Sequence, residues 1–323
     1  MPVGDGAARA VVDDVVHGVP PPGVELRRTG RISLGPVPTA FGLRRTAMSH
    51  GWCALAPTAY DETNDRLHRT VATPDAGPLT VTVRQLPDGR LEASWGRTAG
   101  SRADRAAIRE QLRRMLALDD DLTELHEACR AAGDLAWAAD LGVGRLFRSP
   151  SVFEDLVKTL ATTNCSWALT KAMTTRIVET IGAAGPAGER AFPSAVEMAA
   201  VGERHFSDVV RAGYRARAFV ELAARVASGD LDPERWLDPT IPDAQVLAEL
   251  KLLRGFGPYA AEGMLGLLGR PRGLALDSWV RAKLPALLGR KSITDRAIAR
   301  RYARLGRWAG TGLWLELTRD WFA

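Results

Sequence analysis

The sequence predicts an α+β protein, with an N-terminal antiparallel β-sheet domain followed by a mostly α-helical core. Three observations lead there. Between Val24 and about Gly96 the chain reads as short extended pieces separated by Pro, Gly, Asp and Asn. Beyond Ser101, apolar residues recur at helical spacing almost to the end. A chain of 323 residues, 46% hydrophobic and 25% charged, is long enough for two or three subdomains around a sizeable core.

In chain order, residues 1–23 hold Gly, Ala and a three-proline run and read as a flexible leader. Extended pieces follow at Arg31–Leu34, Gly42–Thr46, Arg66–Ala72, Leu79–Gln85 and Arg90–Trp95. The alternation Thr80-Val81-Thr82-Val83 and the Pro87-Asp88-Gly89 turn make the last two a hairpin. With a linking helix at Arg105–Leu116, these pieces define a sheet domain over 24–115, and the helical core occupies 116–323. A helix at Leu122–Ala132 follows Asp119-Asp120-Asp121, whose carboxylates suit an N-cap. In Ser151–Gly182 the positions Val152, Phe153, Leu156, Val157, Leu160 and Ala161 share one helical face. Asn164-Cys165-Ser166 breaks that stripe, and a new helix starts near Trp167. Phe206–Ala227 reads as one helix with Val209, Val210, Ala218, Leu222 and Val226 inward. Asp243–Leu253 and Pro258–Leu268 form the arms of a helical hairpin (243–268), and Thr294–Phe322 closes the chain. No internal repeat is evident.

Composition narrows the function classes. Lys+Arg exceed Asp+Glu by 43 to 38, a mild excess that suits a polyanionic partner without demanding one. The excess gathers late, where Arg290, Lys291, Arg296, Arg300, Arg301, Arg304 and Arg307 face only Asp295; a solvated helix face would look the same. Cys53, Cys129 and Cys165 are far apart and odd in number, so neither a disulfide framework nor a zinc site emerges. No apolar run reaches membrane-spanning length and no signal-peptide core is present, so a cytoplasmic location without membrane partners is expected. His50, His126 and His205 show no spacing of a triad or metal site and read as structural or surface histidines.

The most informative stretch is Leu252–Val280, LLRGFGPYAAEGMLGLLGRPRGLALDSWV. Gly255 and Gly257 straddle Phe256, which lets the backbone turn tightly and approach another molecule. Pro258 suits the first position of the second helix, whose exposed N–H groups form a site for an anion such as a DNA phosphate. A plain αα-hairpin turn would carry the same residues. Asp277 then stands alone in an apolar loop (273–280), either as the N-cap of a helix beginning Ser278-Trp279-Val280 or as a reactive carboxylate; both roles can coexist.

Four stretches, in order, resemble the helix-hairpin-helix DNA glycosylase superfamily, on the branch containing 8-oxoguanine glycosylase and the AlkA-type 3-methyladenine glycosylases. They are LDDDLTELHEACR (118–130), RLFRSPSVFEDLVKTLATTN (145–164), AGYRARAF (212–219), and LLRGFGPYAAEGM with LALDSWV. The N-terminal sheet is similar to the branch's extra β-domain, and the resemblance implies a two-lobed helical core with the active site between the lobes. The resemblance implies a DNA-repair enzyme that extrudes a damaged base from double-stranded DNA and cuts its N-glycosidic bond. It implies Asp277 as the catalytic carboxylate, with Gly255, Phe256, Gly257 and Pro258 on the DNA backbone. An alkali cation (Na+ or K+) on the hairpin carbonyls would be the only cofactor. Four cysteines near the C-terminus hold an iron–sulfur cluster in some relatives; Cys165 is the last cysteine here, so none is expected.

Bifunctional members place a lysine two residues after the second hairpin glycine, as the nucleophile that forms a Schiff base. That position is Tyr259, whose phenol cannot form an imine, so the resemblance implies a monofunctional hydrolase. Tyr259, Trp314 and Trp279 are the expected pocket aromatics, suited to electron-poor alkylated purines. Asn164 matches an asparagine beside the DNA vacancy, or caps the helix at Trp167; Cys165, Ser166 and Trp167 are wedge candidates. A monomer, associated with the nucleoid when bound to DNA, is expected. The rivals are a glycosylase for oxidised or deaminated bases, favoured by the wording of 145–164, and an inactive structure-selective DNA binder. A pure binder has no need for a carboxylate beside a polyanion.

Overall fold

The computed structural model describes residues 28–96 and 98–322; the leader expected over 1–23 lies outside them. Five strands, β1 (Arg28–Ser33), β2 (Thr58–Asp61), β3 (Arg66–Val71), β4 (Leu79–Gln85) and β5 (Leu91–Gly96), form one sheet in the order β1-β5-β4-β3-β2. Every pairing is antiparallel, and the expected β4–β5 hairpin closes with Gln85 opposite Leu91. Period-two alternation turns Leu67, Val81, Val83, Leu91 and Ala93 inward, all at full burial. They share a core with Ile108, Leu112 and Met115 of the linking helix, α2 (Arg102–Met115).

Two departures mark this part of the chain. Gly42–Thr46, expected extended, belongs to a short helix, α1 (Leu43–Ala47); Leu43, Thr46 and Ala47 are buried together at i, i+3 and i+4. The Leu43 N–H is taken by Gln85 Oε1 at 2.9 Å, so the segment needs no strand partner. Thr58–Asp61, not anticipated, is a four-residue edge strand opposite Arg66–Arg69, too short to show a period.

The helices are α3 (Thr123–Ala132), α4 (Ala136–Asp140), α5 (Val152–Thr162), α6 (Trp167–Ile181), α7 (Ala195–Asp208), α8 (Ala216–Ala227), α9 (Asp243–Lys251), α10 (Pro258–Leu267), α11 (Ser278–Leu287), α12 (Asp295–Tyr302) and α13 (Ala309–Thr318). The single helix expected over Phe206–Ala227 is two, broken where Arg211 (φ 59°) and Gly213 (φ 58°) turn left-handed. Val209 is consequently exposed, whereas Val210, Ala218 and Leu222 are buried as expected. Thr294–Phe322 is likewise divided at Gly306 (φ 58°), between α12 and α13. Ahead of α3 the expected capping aspartate acts one residue early: Asp121 Oδ1 takes both the N–H and the hydroxyl of Thr123.

Two apolar clusters divide the helices into lobes. One joins the inner face of the sheet to α5–α10; the other joins α3 and α4 to α11–α13. The sheet is keyed to the first lobe by buried charge. Arg69 of β3 reaches across to Glu154 of α5 with a fork of two hydrogen bonds, 2.9 and 2.6 Å, and Lys158 one turn on meets the same carboxylate at 2.7 Å. Beside it, Asp155 accepts the Trp52 indole N–H at 2.8 Å and pairs with Arg114 of α2 at 3.0 Å. Burial raises the Glu154 pKa, but Arg69 and Lys158 outweigh it and hold the carboxyl below its ordinary range.

Removing one member strands the others in the interior. Glu154→Ala is expected to cost about 3–5 kcal/mol of unfolding free energy. Urea denaturation checks this, and a loss under about 1 kcal/mol would show that the sheet does not depend on the network.

Candidate active site

The hairpin between α9 and α10 sets the geometry. Gly255 has φ +87°, and a Cβ there would also meet Leu160 Cδ1 at 2.5 Å, so both conformation and space call for glycine. Gly257 faces the other way, with nothing within 4 Å of the position a Cβ would take. It caps α10 without any side-chain acceptor, and Pro258 follows at the helix start. The first N–H groups of α10 therefore remain available to an anion. The Phe256 ring is buried in the core and anchors the turn, so any contact it makes with DNA is through its main chain.

From α10 the chain runs through a loop to Asp277. Gly273 and Gly310 pass so closely that a Cβ on Gly310 would meet the Gly273 carbonyl at 2.1 Å. The Thr311 N–H donates to the Pro271 carbonyl, and the Leu274 N–H donates to the Glu262 carboxylate on α10. The loop is thus tied to both lobes. Asp277 then caps α11, its Oδ1 accepting the Val280 N–H at 2.7 Å. Burial raises the Asp277 pKa against the opposing pull of those helix N–H groups. It makes no ion pair among the described residues, and Arg281 one turn on is engaged by Asp295 at 2.9 Å. An unpaired, half-buried carboxylate is the kind of group that active sites hold.

Asp277 opens onto a cavity of about 640 Å³ between the two lobes. Tyr259 and Glu262, one turn apart on α10, line it from one side, and Trp279, Trp314 and Trp321 from the other. Trp314 lies 6.0 Å from Trp279 and 5.6 Å from Trp321 between ring centroids. Burial and the neighbouring Asp277 charge both push the Tyr259 phenol up, so it is a neutral hydroxyl at any physiological pH. The expected pocket residues Asp277, Tyr259, Trp279 and Trp314 are brought together on this one cavity.

A third wall comes from the sheet domain. His50 and Trp52 line the same cavity, on the 3-10 turn after α1. Sequence reasoning assigned His50 a structural or surface role and passed over Trp52 and Glu262. The only available signal was the isolated His50-Gly51-Trp52 string; nothing in it reveals contacts made across 264 positions to Trp314. Burial lowers the His50 pKa to about 3, with the Lys158 charge adding to the effect.

The segment after α5 behaves differently from expectation. Ser166, not Asn164, caps α6 by accepting the Leu169 N–H. The Cys165 thiol turns inward to the Ala161 carbonyl at 3.0 Å, and Trp167 packs over Gly51 and lines the cavity, so neither projects as a wedge. Asn164 (φ 47°) does stay exposed, and its amide donates to the Tyr214 hydroxyl at 3.3 Å. Tyr214, 66% exposed and stacked on Arg215 at 4.5 Å, is a surface aromatic that the sequence reading did not single out. Part of the late basic run is neutralised internally: Arg301 and Arg304 pair with Asp134, and Arg307 pairs with Glu124. Arg290, Lys291, Arg296 and Arg300 make no ion pair among the described residues.

The His50 shift has a sign that can be checked. Its unfolded-state pKa of 6.5 falls to about 3 on folding, so below pH 6.5 the unfolded chain binds the extra proton. The resulting stability is complete above pH 6.5 and is lost progressively as pH falls towards about 3. In NMR titrations the His50 ring resonances are expected to stay neutral down to pH 4; a midpoint near 6.5 would contradict the buried environment.

No family model matches the sequence, and no curated protein matches it. Solved structures do. The chain is similar to the 3-methyladenine DNA glycosylase from Archaeoglobus fulgidus, at 20% identity and TM-score 0.68 over 90% of this chain and 97% of that one. It is similar to the apo-form of the Clostridium acetobutylicum 8-oxoguanine glycosylase/lyase, at 18% identity and TM-score 0.66 over 88% and 93%. MBOgg1 in complex with a low-affinity DNA ligand gives 18% identity and TM-score 0.67 over 92% and 98%. With these neighbours matched along almost their whole length, the chain has the fold of the 3-methyladenine and 8-oxoguanine DNA glycosylases.

Proposed function

We propose that the protein is a monofunctional DNA glycosylase that hydrolyses the N-glycosidic bond of a damaged base, an alkylated purine, and leaves an abasic site. One observation carries this reading: the unpaired Asp277 carboxylate and the aromatic faces of Tyr259, Trp279 and Trp314 meet on one cavity beside a hairpin with free helix N–H groups. The shared fold with DNA glycosylases supports it.

In the proposed reaction the hairpin holds the DNA backbone through main-chain N–H groups near Gly255 and Gly257, positioning the strand without reading its sequence. An alkali cation would sit on main-chain carbonyls of this hairpin turn. The Asn164–Tyr214 pair faces the gap left in the duplex. The extruded base enters the cavity, and Asp277 stands by the sugar. As the glycosidic bond breaks, positive charge grows on C1′, and the carboxylate stabilises it and orients or deprotonates the attacking water. The N–H groups of α11 fix the carboxylate in advance, so it need not reorganise during the reaction.

Two further features support the finer reading. Aromatic faces attract cationic alkylated purines by about 0.5–2 kcal/mol per contact, and such bases are already good leaving groups. None of the five lysines lines the cavity; Lys283, the lysine nearest Asp277 in the chain, is tied to Asp320 at 3.2 Å and sits over Trp279. That leaves no placed amine for a Schiff base. The protein would act as a monomer on nucleoid DNA in the cytoplasm, and no helix among the described residues is long and apolar enough to cross a membrane.

The test is base release from duplexes that each carry 7-methylguanine, 1,N6-ethenoadenine, hypoxanthine, 8-oxoguanine or uracil. Release of an alkylated purine is expected, with strand cleavage only after alkali and no covalent adduct on borohydride treatment. Preferred release of 8-oxoguanine, hypoxanthine or uracil would establish the oxidised- or deaminated-base reading instead. Asp277→Asn is expected to keep DNA binding while losing at least about 100-fold in rate; full activity in that variant would refute the carboxylate's role. Because only the ionised carboxylate is active and its pKa is raised, the single-turnover rate is expected to fall on acidification, at a pH above the usual aspartate range. A rate flat down to pH 4 would contradict this.

A further inference from the structure

His50 is the feature of the cavity that the proposed chemistry leaves unused. Two indoles hold the ring. Trp52 lies 4.2 Å away and Trp314 5.6 Å away, both tilted by 57°. Neither indole is free to move: Trp52 is hydrogen-bonded to Asp155, and Trp314 donates to the Ser49 carbonyl at 2.9 Å. The backbone on either side is fixed as well. The Ser49 hydroxyl donates to the Thr46 carbonyl and accepts the Phe147 N–H, and Gly51 lies against the Trp167 ring. This is more positioning than a space-filling histidine requires.

The two ring nitrogens differ. Nδ1 is sealed from solvent and has no hydrogen-bond partner, whereas Nε2 is neither sealed nor hydrogen-bonded among the described residues, and the residue lines the cavity. A buried N–H without an acceptor is costlier than a buried lone pair without a donor. The proton therefore belongs on Nε2, which makes that nitrogen a fixed donor towards the cavity.

We propose that His50 is a specificity-determining residue, whose Nε2–H donates a hydrogen bond to an acceptor, an exocyclic oxo group or a ring nitrogen, on the edge of the extruded base. The inference rests on the glycosylase reading and deepens it, because aromatic faces grip any flat base whereas one fixed donor distinguishes between edges. A donor from the sheet domain also makes that domain part of the recognition site. An imidazole without positive charge at this point does not repel a cationic base.

The experiment compares the wild type with His50→Phe, which keeps a ring between Trp52 and Trp314 and removes both nitrogens. Single-turnover release is measured on the same five lesion duplexes, and binding is measured on a duplex carrying a tetrahydrofuran abasic analogue. The expected result is an unequal loss, about 10–100-fold for the base the wild type releases best and under about threefold for at least one other. Affinity for the tetrahydrofuran duplex, which has no base to read, stays within about twofold. His50→Asn, which keeps a donor in the same region, is expected to recover part of the selectivity. An equal loss on every base, or none, would overturn the assignment while leaving the glycosylase reading standing. Release of no base by the wild type would remove that reading and this one with it.

Discussion

The arrangement of the cavity depends on one buried contact, the meeting of the sheet with α5 through adjacent acids. Glu154 takes the Arg69 fork and Lys158; Asp155 takes the Trp52 indole, the Ser149 N–H and Arg114. Two neighbouring carboxylates thereby bind β3, the turn after α1, the linking helix and the start of α5 to one another. Apolar packing alone would let a sheet slide over a helix at little cost, since contact with hydrocarbon has no direction. Forked and charge-assisted hydrogen bonds tolerate no such slip. The consequence reaches the cavity through Trp52, which belongs to both places.

That coupling explains why a domain outside the helical core supplies a wall of the site. Ser49 offers its carbonyl to Trp314 of α13, 265 residues later, and His50 and Trp52 follow at once. The second lobe is therefore joined to the sheet as well as to the loop between α10 and Asp277, where Gly273 and Gly310 touch. Three units close around one volume, and each contributes something different: a carboxylate from α11, aromatic faces from α10 and α13, and an imidazole from the sheet domain.

Much of this was legible in the sequence, for physical reasons that also mark where legibility ended. The hairpin announced itself because tight turns require particular residues: a left-handed φ at Gly255 and an open face at Gly257 leave few substitutes. Asp277 stood out as a lone acid in an apolar loop, and its cap role and cavity position coexist. Strands β3, β4 and β5 were visible as short extended pieces between turn residues, β4 also through its alternation of Thr and Val. By contrast, α1 and β2 are five and four residues long, too short for a period to distinguish helix from strand. The break between α7 and α8 falls within an unbroken apolar rhythm, where only Gly213 hinted at it. His50 was illegible for a deeper reason: its partners Trp52, Trp314 and the buried Lys158 assemble only after folding.

The electrostatics of the cavity form a consistent whole. Around Asp277 burial moves four groups towards their neutral forms: the Tyr259 phenol stays protonated, His50 stays unprotonated, and Asp277 and Glu262 are harder to ionise than in water. A site hostile to charge holds one carboxylate ready through the N–H groups of α11. In the proposed reaction, positive charge appearing on a sugar beside this half-buried carboxylate feels a stronger field than it would in water. On the proposed reading the indole faces attract a base that arrives already cationic, and the arginines that line the cavity are each taken up, Arg145 by the Ala117 and Asp120 carbonyls, Arg148 by Asp120 and Arg307 by Glu124. A lysine nucleophile would undo this balance, either by losing its proton to burial or by pairing with Asp277 and cancelling its field. On the proposed reading, Tyr259 at that position leaves the carboxylate uncompensated, which is the state in which its field acts most strongly on positive charge growing at the sugar.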